Sequence, residues 1–289
     1  MRLHALLRLA APLPLLAAAC TSDFLPASYL HDLRVLAVVA APLEAGQGDT
    51  VTLVPAVYMP LGSAFVEHGW TFCPLTAGSG TGYACAVPQC QTSLAPAADG
   101  SVSANPYDLA LQCAAMFGTG GTVPPEVPDV VQATFKYEIA YDVPAGDRQT
   151  RVAVQTIPLW TRGPPVDPNV PPLIERVEIG GLAAAIGVPA APLAEGGRVP
   201  VRVRIDPGSV QTYLDAAGRA VQETMTVSFF TTAGRFEFDR QTGIDVSVDL
   251  EAIDLAPLPA DAEAQVWVVA RDLRGGQAAL GPFTVPFAR

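Results

Sequence analysis

The chain has 289 residues, of which 17 are basic and 28 acidic, giving a formal charge of −11 at pH 7; phosphate recognition needs a basic footprint, so nucleic acid is excluded as a partner. Half of the residues are hydrophobic, and 28 prolines and 25 glycines punctuate many short Val-rich runs. That composition reads as all-β with frequent turns, and the length suits two domains of ordinary size.

Arg2 and Arg8 give the chain a basic start, and the apolar run Leu9 to Ala19 follows, the anatomy of an export signal. The run is shorter than the roughly 20 residues that a permanent membrane helix needs. It ends in Leu16-Ala17-Ala18-Ala19-Cys20, which resembles the lipobox at which bacterial lipoprotein signal peptides are cut before a diacylated cysteine. The resemblance implies a signal peptide over residues 1–19, lipid attachment at Cys20 and a membrane as partner. Thr21 stands where an aspartate would signal inner-membrane retention, so the implied address is the outer membrane. The sequence departs from the pattern at Ala17, where the family prefers a branched aliphatic residue; Leu16 lies one place back. Ala17-Ala18-Ala19 also satisfies the small-x-small rule of a plain secretory signal. Cysteine counting favours the lipid: of five cysteines, four can pair and the odd one stands at the cleavage site. Loss of residues 1–19, with two arginines and no acid, takes the charge to −13.

Residues 20–30 read as a tether, and residues 31–160 as a first β-sandwich domain with a disulfide-rich insertion. Its strands begin at Leu33 to Val39. After a turn at Gly46 to Asp49, Thr50 to Met59 carries Val51, Leu53 and Val57 on one face, with Pro55 marking a sheet edge or bulge. The clearest strand is Val131 to Val143, where Val131, Ala133, Phe135, Tyr137, Ile139 and Tyr141 alternate with polar residues. The turn Pro144-Ala145-Gly146-Asp147 returns the chain into Thr150 to Ile157, with Val152 and Val154 expected to face in.

Residues 161–172 hold too many prolines for a ladder or a helix and read as a semi-rigid interdomain linker. Residues 173–289 read as a second sandwich, with strands at Leu173 to Ile179, Val199 to Ile205, Thr224 to Thr231, Ile244 to Leu250, Glu263 to Arg271 and Phe283 to Phe287. The restart echoes the first domain. Ala41-Pro42-Leu43-Glu44-Ala45-Gly46 and Ala191-Pro192-Leu193-Ala194-Glu195-Gly196 each follow a strand and enter another, which makes a duplicated fold the expectation. Arg34-Val35-Leu36-Ala37-Val38 and Trp267-Val268-Val269-Ala270-Arg271-Asp272-Leu273-Arg274-Gly275-Gly276 resemble the opening and penultimate strands of Ig-like domains in lipoproteins of GC-rich Gram-negative bacteria. The resemblance implies two Ig-like antiparallel β-sandwiches in tandem and no particular activity.

Cys73, Cys85, Cys90 and Cys113 fall within the first domain. In an exported chain they read as two disulfides; of three possible pairings, Cys73 with Cys85 and Cys90 with Cys113 close the local loops. Their irregular spacing lacks the close Cys-x-x-Cys pairs of a zinc site. His68 has Ser63 and Glu67 as sequence neighbours, yet there is no Gly-x-Ser-x-Gly elbow, and a solvated histidine is the simpler reading. Asp239, Asp245, Asp249 and Asp254 invite calcium, but alternation with Ile244, Val246, Val248 and Leu250 makes Asp245 and Asp249 the wet side of a strand. Asp272 is expected to order a turn, with Gly275 and Gly276 taking positive φ. Trp70, Trp160 and Trp267 read as core rings. Neither a catalytic residue, a metal nor a cofactor is expected. The sequence thus points to a lipid-anchored, non-enzymatic binding or spacer module for a protein or glycan, with an envelope hydrolase using loop carboxylates, or a subunit of an envelope assembly, as alternatives.

Overall fold

Alternation of apolar and polar residues buries one side of an extended segment, and two such sheets must close on each other to dry both faces. The chain does this twice. The computed structural model describes residues 26–118, 127–143, 146–163, 167–214, 217–253 and 262–288. The expected signal peptide, Cys20 and Asp254 lie outside the described residues.

The first half contains β1 (Arg34–Ala41), β2 (Val51–Tyr58), β3 (Ala64–Cys73), β4 (Thr92–Leu94), β5 (Val102–Ala104), α1 (Pro106–Ala115), β6 (Val130–Asp142) and β7 (Arg148–Trp160). They form a three-stranded sheet, β1-β2-β5, facing a four-stranded sheet, β4-β3-β6-β7. Between the sheets lie Val51, Leu53, Trp70, Phe72, Phe135, Tyr137, Tyr141 and Ile157. The second half contains β8 (Ile174–Ile179), β9 (Leu182–Ala183), β10 (Leu193–Ala194), β11 (Arg198–Ile205), β12 (Thr212–Leu214), β13 (Ala220–Gln222), β14 (Thr226–Thr231), β15 (Arg235–Phe236), β16 (Arg240–Thr242), β17 (Asp245–Glu251), β18 (Glu263–Arg271) and β19 (Gln277–Ala288). Its sheets run β15-β17-β11-β8-β9 and β10-β19-β18-β14-β16 around a core that includes Val201, Val203, Phe229, Val266, Val268 and Val285.

The two halves share one strand order. β1-β2-β5 corresponds to β8-β11-β17, and β4-β3-β6-β7 to β16-β14-β18-β19. The echoed Ala-Pro-Leu segments occupy matching places: Ala45 bridges Leu159 of the last strand in parallel, and Leu193–Ala194 pairs in parallel with Phe287–Ala288. In each sandwich the segment therefore leaves the first strand's sheet and joins the opposite one beside the final strand. Two facing sheets with this order make an all-β, Ig-like sandwich fold.

Three expectations change. Val152 is 50% exposed, while Ala153 packs on the core. Cross-strand partners share a face, and Tyr137 opposite Ala153 fixes the inward set as odd-numbered residues of β7. α1 was not anticipated. Asn105 caps it by accepting from the Asp108 amide (3.0 Å), and Pro106 occupies its first turn. The expected tether gives its last residues to the fold: Ser28 and Leu30 are buried, and Leu30 N donates to Thr231 O at 2.7 Å.

Candidate functional site

The outward face of β1 and β2 is apolar, as is the outward face of β14, β18 and β19, and the two faces pack together. Leu30, Leu36, Ala37, Ala56 and Tyr58 meet Phe230, Trp267, Val269 and Ala279 in one cluster. Tyr58 and Trp267 are in edge contact with centroids 5.4 Å apart. Arg271 Nη2 donates to Leu36 O at 2.7 Å, and the Arg34 guanidinium lies 5.6 Å from the Phe230 ring centre.

Polar groups clasp the same interface where the linker crosses it. Arg274 Nη1 donates to Glu223 Oε1 (2.7 Å), and Arg274 Nη2 lies 3.7 Å from Glu44 Oε1. Glu44 also accepts from Trp160 Nε1 (2.9 Å) and from the Asn169 amide (3.1 Å). Asp272, 1% exposed, accepts from the amides of Arg274 and Gly276 and from Asn169 Nδ2. The carboxylates are thus spent on amides, the Trp160 indole and one guanidinium, and Tyr213 covers that guanidinium at 4.6 Å. Asp272 does order its turn, but the backbone conformation differs from expectation: Leu273 and Gly275 take positive φ, and Gly276 does not. Gly276 is required for space, because a Cβ there would overlap the Asp272 carboxylate and approach Leu43.

At the other end of this interface the faces part into a cleft of about 1060 Å³. Tyr58, Met59 and Leu61 form one wall, and Trp267, Gln265, Glu263 and Thr232 contribute to the other. β18 is irregular between Val266 and Val268, and Gly281 lies against that irregularity. A Cβ on Gly281 would come within 2.8 Å of Trp267 Cδ1 and 2.7 Å of Val266 O. The missing side chain lets the indole pack closely on β19, where it is 8% exposed and borders the cleft. An aromatic floor with amide, carboxyl and hydroxyl groups at its edge suits recognition of a ligand with both apolar faces and polar edges. Sequence reading missed this cleft because its walls come from segments far apart in the chain, Tyr58 to Leu61 on one side and Thr232 and Glu263 to Trp267 on the other.

Other singled-out residues are dispersed. Cys73 is bonded to Cys85, and Cys90 to Cys113. The second bond holds α1 over an apolar pocket of about 230 Å³ lined by Leu75, Tyr107, Ala110, Leu111, Phe117 and Leu159 among others. His68 Nδ1 lies 3.5 Å from Tyr137 Oη, beside the Phe65 ring. Ser63 Oγ has no hydrogen-bond partner, so Ser63, Glu67 and His68 do not assemble as a triad. The Arg202 fork bonds Asp245 and holds its carboxyl below the ordinary value. Trp70 is buried and donates to Gly100 O at 2.8 Å. Among the described residues, no three His, Cys, Asp or Glu side chains are placed to hold a metal ion.

No protein-family model matches the chain, and no curated protein matched in a sequence search. Solved structures similar to it include one from a 1.5-MDa bacterial ice-binding adhesin, concerned with its retention at the host cell surface: 16% identity, 89% of this chain, TM-score 0.23. The chain spans 65% of the length of that structure. Fibronectin(III)-like modules of Clostridium thermocellum CbhA are 8% identical over 89% of this chain and 93% of theirs, with a TM-score of 0.24. Superpositions at this level map no residue onto a counterpart; the fold assignment stands on strand order alone.

Proposed function

We propose that this chain is a non-enzymatic binding module of the bacterial envelope, lipidated at Cys20, fixed to the outer membrane and presenting the interdomain cleft to a glycan or protein ligand. The observation that carries the binding role is the cleft itself. Trp267 and Tyr58, in edge contact, line it, and Gln265, Glu263 and Thr232 place amide, carboxyl and hydroxyl groups at its border. Preorganisation supports the reading: both walls belong to sheets already packed together, so a ligand meets a formed surface. The export signal and the cysteine at its cleavage site support the anchor.

Mass spectrometry of the mature amino terminus tests the anchor, with a diacylglyceryl-modified Cys20 as the expected species and an unmodified terminus as the refuting one. Glycan-array and peptide-library binding by the native chain, repeated with Trp267→Ala, tests the cleft. Loss of about 5- to 10-fold in affinity is expected, since an aromatic contact is worth about 1–1.5 kcal/mol; undiminished binding refutes the cleft as the ligand site.

A further inference from the structure

From Thr50 to Val66 the sequence carries no charged residue. The turn joining β2 to β3 lies in this stretch; it exposes Met59 and above all Leu61, whose exposure is 97%, and Phe65, 47% exposed, follows at the start of β3. Ser63 N donates to Pro60 O at 3.2 Å and Gly62 takes a φ of 78°, so a tight turn holds Leu61 at the tip. Single exposed apolar side chains are ordinary, but two on one tight turn and a third at the start of the strand it enters call for a partner.

The loop's place in the fold indicates the partner. Arg34 pairs with Tyr58, and Phe65 pairs with Tyr141, whose hydroxyl accepts from Leu33 N at 3.3 Å. The loop therefore stands at the end of the sandwich where the chain enters β1. Residues leading into that strand are held in place: Arg34 donates to Ala27 O, and Thr231 N donates to Ser28 O at 2.9 Å. Only five residues separate Cys20 from Pro26, a span of at most about 20 Å when extended.

We propose that Met59, Leu61 and Phe65 form an apolar foot that enters the interfacial layer of the bilayer holding acylated Cys20, so that the protein stands on the membrane at two points. The inference rests on the lipid-anchor reading, because the short distance to Cys20 brings the foot to a bilayer. The partner is a neutral lipid surface. With a formal charge of −13 once residues 1–19 are removed, the chain is not drawn to anionic headgroups, and burial of apolar side chains is the remaining attraction. Two attachment points orient the body, and the cleft, which shares Met59 and Leu61 with the foot, then opens beside the membrane.

The test uses the acylated full-length mature chain in phosphatidylcholine vesicles. Leu61→Cys and Leu214→Cys variants, each coupled to an environment-sensitive fluorophore, are compared with and without brominated lipid. Leu214 is 70% exposed and lies beside the Gln211 and Arg274 clasp, at the opposite end of β18 from the cleft. The foot requires quenching at position 61 to exceed that at position 214 by about threefold or more, as burial in the interface dictates. Equal quenching at the two sites, with Cys20 shown by mass spectrometry to be acylated, overturns the foot and leaves the anchor intact. An unacylated terminus refutes the anchor, and the foot falls with it. Retained disulfides and an unchanged circular dichroism spectrum confirm that both labelled variants are folded.

Discussion

Glu223 shows what one buried carboxylate demands of its surroundings. Its side chain is fully buried, and Arg274, the Gln211 amide and the β12–β13 hairpin enclose it. Removing the guanidinium strands a charge in a dry place. Arg274→Ala is therefore expected to destabilise the protein by about 3–5 kcal/mol in urea titrations, more than an exposed ion pair such as Arg162–Asp129 would cost. Tyr137 gives a second residue-scale expectation. Burial pushes its phenol up to about 12 from an ordinary 10.0. The unfolded chain then releases the proton first as pH rises, so the stability present below pH 10 is lost progressively towards pH 12. Tyr137→Phe should flatten that alkaline slope in chemical denaturation followed across the same range; an unchanged slope would show that the phenol is not its source.

At the scale of elements, the disulfides do what the sheets cannot. Among the described residues, the segment between β3 and β6 contains two three-residue strands, two 3-10 turns and α1, and Cys90–Cys113 fastens that helix to the second of those turns. The bond closes a loop with a sequence separation of 23, so replacing both cysteines by alanine should cost about 2–4 kcal/mol and expose α1 to limited proteolysis ahead of the β-sheets. The strands of β6 and β7, paired from Val130–Trp160 to Asp142–Arg148, should remain protected from amide exchange in that variant. In β19, Gly281 holds an equally specific position. Gly281→Ala should shift the fluorescence of Trp267, whose ring atoms it would contact, before it lowers stability elsewhere.

For the whole molecule, the question is whether the two sandwiches move as one. Apolar packing of Trp267 against Tyr58, Leu36 and Ala37, together with the Arg274 clasp, predicts that they do. Calorimetry of the native chain should give a single transition. The double variant Trp267→Ala, Arg274→Ala should separate it into two, because each sandwich retains its own core. If the native chain already melts in two steps, the interface is weaker than its contacts indicate. The Pro-rich segment expected to act as a semi-rigid linker is tied down at Asn169 and Val170 in the same clasp, so its stiffness comes from tertiary hydrogen bonds as well as from proline.

Period-two alternation in Val131 to Tyr141 and Val199 to Ile205 suffices to read strands, and the repeated Ala-Pro-Leu segment, taken with the matched order of strand, turn and strand around it, points to a duplicated fold, because these signals are local in the chain. The same signal did not decide which side of β7 faces inward: Val152 and Ala153 each suit a strand, and the pairing with β6 made the choice. α1 was hidden for a related reason. It is a ten-residue helix, capped by Asn105 and held by Cys113; its apolar stripe of Tyr107, Ala110, Leu111 and Ala114 is short and sits in a region whose cysteines, glycines and prolines read as loop. The cleft and the clasp lay furthest from sequence reading. Glu44 meets Arg274, and Tyr58 meets Trp267, across more than 200 residues. Sequence by itself determined which segments extend and which residues are apolar; only packing of one sandwich on the other decided where those residues meet, since contact across such separations depends on how two finished sheets dock.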